Sequence, residues 1–349
     1  MVKKAAIVSL SAGMIGEDSV KHEVDLGLKR LRQFGLEVQM MPHAMSGIAC
    51  VKEHPEDRAA DLLQALTDDS VDMILCAIGG DDTYRLLPYL FENGELERAL
   101  KSTAGKEKIF LGFSDSTANH LMLHKAGLNT FYGQSFLADI CELDKEMLPY
   151  SERYFRELIG TGTIREIRPS DVWYEGRTDW SETALGTPRK AHPDTGFELL
   201  QGPAKFSGKI LGGCLETLFD LFDSGRYPDS AAVCARYHLF PDLADWKGKI
   251  LLLETSEEQS PPEHYRKMLE TLKKTGIFGV ISGIICGKPA DEMYSAEYRR
   301  ILCEVLDDPA LPVAVNVNVG HAVPRCIIPF GIEAEVSIPE QCIRFRNAE

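Results

Sequence analysis

The sequence predicts an α/β fold in two domains, on three observations. Short apolar runs at residues 5–10, 38–41, 73–78 and 109–113 alternate with amphipathic stretches at 19–34 and 56–66, the pattern of βαβ units on a parallel sheet. The chain has 349 residues, against roughly 100–200 per domain, so each half can bury its own core. Strand signals resume after a polar middle segment, at 209–211, 248–254, 279–286 and 313–319, with a helix-like stretch at 262–274 among them.

The first run, Ala5-Ala6-Ile7-Val8-Ser9-Leu10, reads as a buried strand. Although Lys3-Lys4 precede it, its apolar length is too short for a secretory h-region, and Gly13, Gly16, Glu17 and Asp18 follow directly. Pro55 opens the helix-like segment 56–66, as suits a first helical position. Between about 164 and 202 periodic apolar residues thin out, while prolines, arginines and two tryptophans collect, so a long loop is expected. Trp173 and Trp180 argue against simple disorder there. The expected division is 1–165, an N-terminal α/β domain; 166–204, a linker and substrate loop; and 205–349, a C-terminal β/α domain.

Composition narrows the function. With 38 Lys+Arg against 53 Asp+Glu the net charge is −15, which opposes broad contact with nucleic acid or an anionic membrane. No stretch approaches the roughly 18 apolar residues of a membrane span. The nine cysteines contain no CxxC pair and mostly sit in apolar runs, which fits reduced thiols in a cytoplasmic protein.

Four segments could carry chemistry. In Ile109-Phe110-Leu111-Gly112-Phe113-Ser114-Asp115-Ser116-Thr117 an apolar strand meets Gly-x-Ser at a bend before a helix. Such a bend exposes a serine hydroxyl beside the next residue's N–H, here that of Asp115. Ser116 replaces the second glycine of the usual elbow, and a plain helix cap is the competing reading. The alternating strand Val313 to Val319 ends in Gly320-His321 and delivers an imidazole to a strand end, where a base for the serine is needed. In Leu211-Gly212-Gly213-Cys214-Leu215-Glu216 a glycine pair precedes an acid in a first helical turn; Glu216 is the candidate orienting acid, although it could also merely complement the helix dipole. Ile78-Gly79-Gly80-Asp81-Asp82-Thr83 offers close-approaching backbone N–H groups, as oxyanion donors or as a phosphate cradle, which keeps a Gly-Gly-Asp-x-Thr kinase as an alternative beside a non-catalytic binder. His120 and His124, four apart on the presumed helix, have the spacing of two metal ligands but lack the zincin glutamate.

Taken in order, these segments resemble the LD-carboxypeptidase family of serine peptidases. The elbow is similar to that family's Gly-x-Ser-Asp-x-Thr, Gly212 to Leu218 to its Gly-Gly-x-Leu-Glu-x-Leu, Gly320-His321 to its late Gly-His, and Gly79-Gly80 to its oxyanion loop. The resemblance implies a flavodoxin-like parallel-sheet N-terminal domain, a swivelling β/α/β C-terminal domain, a Ser114–His321–Glu216 triad, an oxyanion hole from Gly80 and Asp115, no cofactor or metal, and a homodimer. The Trp-bearing loop, residues 195–202 and 252–258 are similar to the branch that cleaves peptidyl or aminoacyl adenylates; the other branch trims murein tetrapeptides. On that likeness Trp173, Trp180 and Glu254 are expected to contact a small peptide or aminoacyl-nucleotide substrate. Asp82-Thr83 departs from the Asn-Ser expected of the branch.

Overall fold

The strands of the first half are largely buried, as in a parallel sheet covered on both faces, and read as apolar runs, except the edge strand Glu37–Met40, which is half-buried to exposed. In the computed structural model, which describes residues 1–102 and 107–346, these are β1 (Lys4–Val8), β2 (Glu37–Met40), β3 (Met73–Cys76), β4 (Ile109–Gly112) and β5 (Phe131–Tyr132). They pair in parallel in the order β2-β1-β3-β4-β5, the flavodoxin-like winding, whose ligand crevice lies at the carboxyl ends of the strands where the order reverses. The helices fall close to expectation at Lys21–Gln33 and Pro55–Thr67, the latter with Pro55 in its first turn.

The later chain supplies β6 (Glu166–Ile167), β7 (Val172–Tyr174), β8 (Ala191–Pro193), β9 (Glu198–Gln201), β10 (Lys205–Cys214), β11 (Ile250–Glu254), β12 (Gly283–Gly287), β13 (Val313–Val317), β14 (Ile328–Pro329), β15 (Glu333–Ser337) and β16 (Cys342–Arg346). Eight of them form a second sheet in the order β6-β16-β15-β10-β11-β12-β13-β9, parallel from β10 to β13 and antiparallel towards both edges. The helix Pro262–Lys274 lies where the apolar spacing predicts it. The fold is mixed α/β with two large sheets and one two-stranded sheet.

The middle segment differs from expectation. It is not a structureless loop: β6 and β9 close the two edges of the second sheet, and β7 and β8 pair as a separate two-stranded unit. These strands are two to four residues long and, apart from the buried Ile167, half-buried or exposed, too short to show a clear period of two. The sheets are also joined across the molecule, since β14 pairs antiparallel with β5 and thereby adds a late strand to the first sheet. Seven of the nine free cysteines are buried. Among the described residues no helix is long and apolar enough to cross a membrane.

Candidate active site

Three strands of the first sheet deliver their carboxyl ends to one place. β1 runs on to Ser11, β3 to Gly79-Gly80 and β4 to Ser114. Ser114 sits at φ 64°, a left-handed conformation that costs a non-glycine residue on the order of 1–3 kcal/mol and is held only where its surroundings enforce it. Here Thr117 Oγ1 donates to the Ser114 carbonyl at 2.7 Å, while the Ser114 N–H donates to Tyr132 Oη at 3.1 Å. Gly79 must lack a side chain, because a Cβ there would lie 2.6 Å from Ser114 Cβ. Gly80 has φ 154°, and a Cβ on it would collide with Ser11 Oγ.

The Asp115 side chain is turned inward, accepting from Ser11 Oγ at 2.6 Å and from the Thr83 N–H at 2.9 Å. Burial pushes its carboxyl up, against the lowering by those hydrogen bonds. Its backbone N–H and that of Gly80 have no backbone acceptor among the described residues. Asp82 is buried in an ion pair with Arg58 at 2.6 Å. That pairing gives Asp82 a place in the fold, since its carboxylate neutralises a buried guanidinium under the oxyanion loop; it does not explain Thr83.

The second sheet contributes the imidazole. His321 Nε2 lies 3.0 Å from Ser114 Oγ, and Nδ1–H donates to Glu254 Oε2 at 2.7 Å. Glu254 closes β11, its side chain fully buried, and its other oxygen accepts from Tyr132 Oη at 2.6 Å. The loop carrying His321 is tied down by Arg325, which donates to the carbonyls of Gly320 and His321, pairs with Asp139 at 2.9 Å and packs its guanidinium over the Phe113 ring. Glu257 Oε2 also reaches His321 Nε2, at 3.0 Å, from a side chain that is 74% exposed. Burial pulls the imidazole down, but Glu254 and Glu257 together outweigh it and raise His321 to about 10; in return Glu257 is lowered to about 2, chiefly by that hydrogen bond.

The structure corrects the sequence expectation at two carboxylates. Glu216 does not touch His321: its oxygens accept from the Ser256 N–H at 3.1 Å and Ser260 Oγ at 3.2 Å, because the first turn of the helix Leu215–Asp220 points it beneath the loop after β11. Burial, then the Glu254 charge, push its carboxyl up. Glu254, expected on the substrate, instead occupies the position on Nδ1. An acid closing the all-apolar run Ile250-Leu251-Leu252-Leu253, at the carboxyl end of a parallel strand, was the available signal. Tyr132, unmarked in the sequence reading, joins elbow and acid.

The two tryptophans lie outside this hydrogen-bonded centre. Trp173 on β7 stacks on His192 of β8 with ring centres 4.4 Å apart, and Lys288 Nζ stands 5.5 Å over it. Trp180 is 41% exposed, with Arg189 over its ring at 5.5 Å. The Tyr174 N–H donates to the Val323 carbonyl at 2.8 Å, which sets the β7–β8 unit against the segment that follows His321. The His120–His124 pair does not converge: His120 meets Thr130 Oγ1 and the Gly112 carbonyl, whereas His124 meets Asp245. Cys214, Glu254 and His321 could each offer one ligand atom to a metal, within 4.8 Å of one another; in the structure the His321–Glu254 pair is closed by its own hydrogen bond.

Comparison with known proteins places this architecture. Residues 5–133 match the LD-carboxypeptidase N-terminal domain and residues 207–336 the LD-carboxypeptidase C-terminal domain. The chain belongs to the LD-carboxypeptidase family, and its class is that of a carboxypeptidase-type hydrolase. Its particular relatives include an MccF-like protein from Streptococcus pneumoniae, solved in complex with AMP, which is 63% identical with a TM-score of 0.97 over 99% of each chain. The microcin C7 self-immunity protein MccF of Escherichia coli is 25% identical over 82% of this chain and 77% of its own. A probable murein peptide carboxypeptidase of Bacillus subtilis is 24% identical over 91% of this chain and 85% of its own.

Proposed function

We propose that the protein is a serine carboxypeptidase-type hydrolase that cleaves the amide between a C-terminal acyl residue and a modified nucleotide. The observation that carries the chemistry is the unbroken relay from Ser114 Oγ through His321 to Glu254. For the substrate class, the support is AMP in the 63% identical protein. Ser114 Oγ attacks the scissile carbonyl as His321 Nε2 takes its proton. The Asp115 and Gly80 N–H groups hold the oxyanion, at about 3–4 kcal/mol per donor in related chemistry. His321 returns the proton to the departing nitrogen, and water, activated by the same imidazole, hydrolyses the acyl-enzyme. Glu254, not Glu216, keeps the imidazole in the productive tautomer and stabilises its charged form. The aromatic β7–β8 unit would supply a stacking face for a base, worth about 1–3 kcal/mol. The protein acts in this reading as a cytoplasmic homodimer.

Trimming of murein tetrapeptides is the second reading, favoured by the Bacillus subtilis relative. A paired assay separates the two: aspartyl-sulfamoyl adenosine should be hydrolysed and a murein tetrapeptide left intact. Cleavage of the tetrapeptide alone would overturn the choice. Ser114→Ala should lower hydrolysis by at least about 10³-fold, with the circular dichroism spectrum and melting temperature of the parent; activity retained in that variant refutes the nucleophile.

A further inference from the structure

We infer that Tyr132 is a positioning residue for the reaction, its hydroxyl setting both the nucleophile's backbone and the carboxylate behind the histidine. The inference rests on the proposed roles of Ser114, His321 and Glu254.

A phenol has one hydrogen to give and lone pairs to receive with. An ionised Glu254 can only accept, so the hydroxyl hydrogen goes to its Oε1, at 2.6 Å. The Ser114 N–H can only donate, so it takes the phenol's lone pair, at 3.1 Å. The direction of both bonds is thus fixed by chemistry. The nearby Thr117 hydroxyl, 3.5 Å away, already gives its hydrogen to the Ser114 carbonyl. Burial, and then the Glu254 charge, hold the Tyr132 phenol well above its ordinary range, so it remains a donor throughout the working pH interval.

The ring leaves the hydroxyl little freedom. Tyr132 is fully buried at the end of β5, stacks on Phe330 with centres 5.3 Å apart, and faces His120 at 5.2 Å. From the second sheet Gly213 closes over it; a Cβ there would lie 2.9 Å from the ring. One rigid side chain from the first sheet therefore touches the strained elbow and the acid of the second sheet at once. It fills Glu254 Oε1, leaving Oε2 for His321 Nδ1, and it holds the Ser114 amide at the φ that points Oγ towards Nε2.

Tyr132→Phe keeps the packed ring and removes only the oxygen, which leaves the Ser114 N–H without its acceptor and Glu254 Oε1 without its donor. A carboxylate that has lost a donor binds the imidazolium proton more tightly. Phosphonylation of Ser114 by a fluorophosphonate reads both effects without a known substrate: Oγ attacks phosphorus, fluoride leaves, and His321 takes the hydroxyl proton. In the variant the maximal rate of inactivation should fall about 10²-fold, the scale on which small misplacements act. The probe's half-saturation concentration should be unchanged, and the acid limb of the pH profile should move upward. A folded variant with the parent's maximal rate and a coincident profile overturns the proposal, even if it melts earlier. If wild-type enzyme is not labelled at Ser114, the nucleophile assignment itself falls, and this proposal with it. Should Tyr132→Phe not fold, 3-fluorotyrosine at position 132 retains both bonds with a more acidic hydroxyl. The acid limb should then move downward, and an unmoved limb overturns the proposal.

Discussion

Glu257, the second acid on His321, favours the imidazolium over the free base that Ser114 needs. With Glu254 on Nδ1 and Glu257 on Nε2, the imidazole is raised to about 10, which favours the imidazolium, and only the neutral form can take the proton of Ser114. Glu254 is buried, whereas Glu257 sits 74% exposed on the loop after β11. Replacing it by glutamine removes one unit charge 3.0 Å from Nε2. In a water-like dielectric two charges at that distance interact by about 1.4 kcal/mol, equal to about one pKa unit, and exposure keeps the value near this lower bound. The sign follows: a lost anion destabilises the imidazolium, so the pKa falls and the free base appears at lower pH. Glu257→Gln should therefore move the acid limb of Ser114 phosphonylation down by about one pH unit. Below the limb it should react about tenfold faster than the parent. The assay is the fluorophosphonate rate from pH 6.5 to about 10, normalised to folded protein. Coincident profiles for parent and variant would refute the claim that Glu257 sets the protonation of the base.

The carboxylates behind the histidine are separated by substitution: Glu254→Gln should lower hydrolysis by about 10³- to 10⁴-fold, the scale seen when an orienting acid is made neutral, whereas Glu216→Gln should stay within about tenfold; the reverse order would restore Glu216 to the relay. Asp82→Ala leaves Arg58 charged and buried without its partner, so urea unfolding should show a loss of about 3–5 kcal/mol, much of it recovered by adding Arg58→Met; a loss under about 1 kcal/mol would mean that the pair is hydrated. His120 is pushed down to about 3 by burial, against a smaller opposing effect of the Gly112 carbonyl. Its unfolded form binds a proton from about pH 6.5 downward, so stability is present above that pH and is lost towards 3 at up to about 1.4 kcal/mol per pH unit. The slope between about pH 6.5 and about 5, above most carboxylates, should flatten in His120→Gln.

The inner parallel strands were legible because burial on both faces leaves little but apolar residues to read. Met73–Cys76 and Ile109–Gly112 are buried at every position, and the sequence offers no ambiguity there. The helix Pro262–Lys274 was equally clear, since one face is packed and the other wet. The segment between 166 and 204 was not. Its strands are fixed by partners elsewhere: β6 by Arg344 and Ile343, β9 by residues 313–315. With so few residues each, local preference is weak and the tertiary pairing decides.

The site shows the same division more sharply. Ser114, Gly80 and His321 announce themselves because each needs a local backbone feature that leaves a mark in the sequence: a bend after a strand, a glycine with φ 154°, a residue after Gly320 at φ 89°. The orienting acid needs no such mark. It has only to sit at a strand end at the right depth, and Glu254 and Glu216 lie at the ends of strands that finish side by side, with Cys214 paired to Glu254. What separates them is direction. Glu254 is the last residue of its strand and projects across the sheet edge to His321, whereas Glu216 has entered a helix whose first turn carries it under the neighbouring loop, onto the Ser256 N–H. A shift of two residues past the strand end thus exchanges a contact with the imidazole for a contact with backbone. That choice lies in the packing of two sheets against each other, as does the bridge that Tyr132 makes between them.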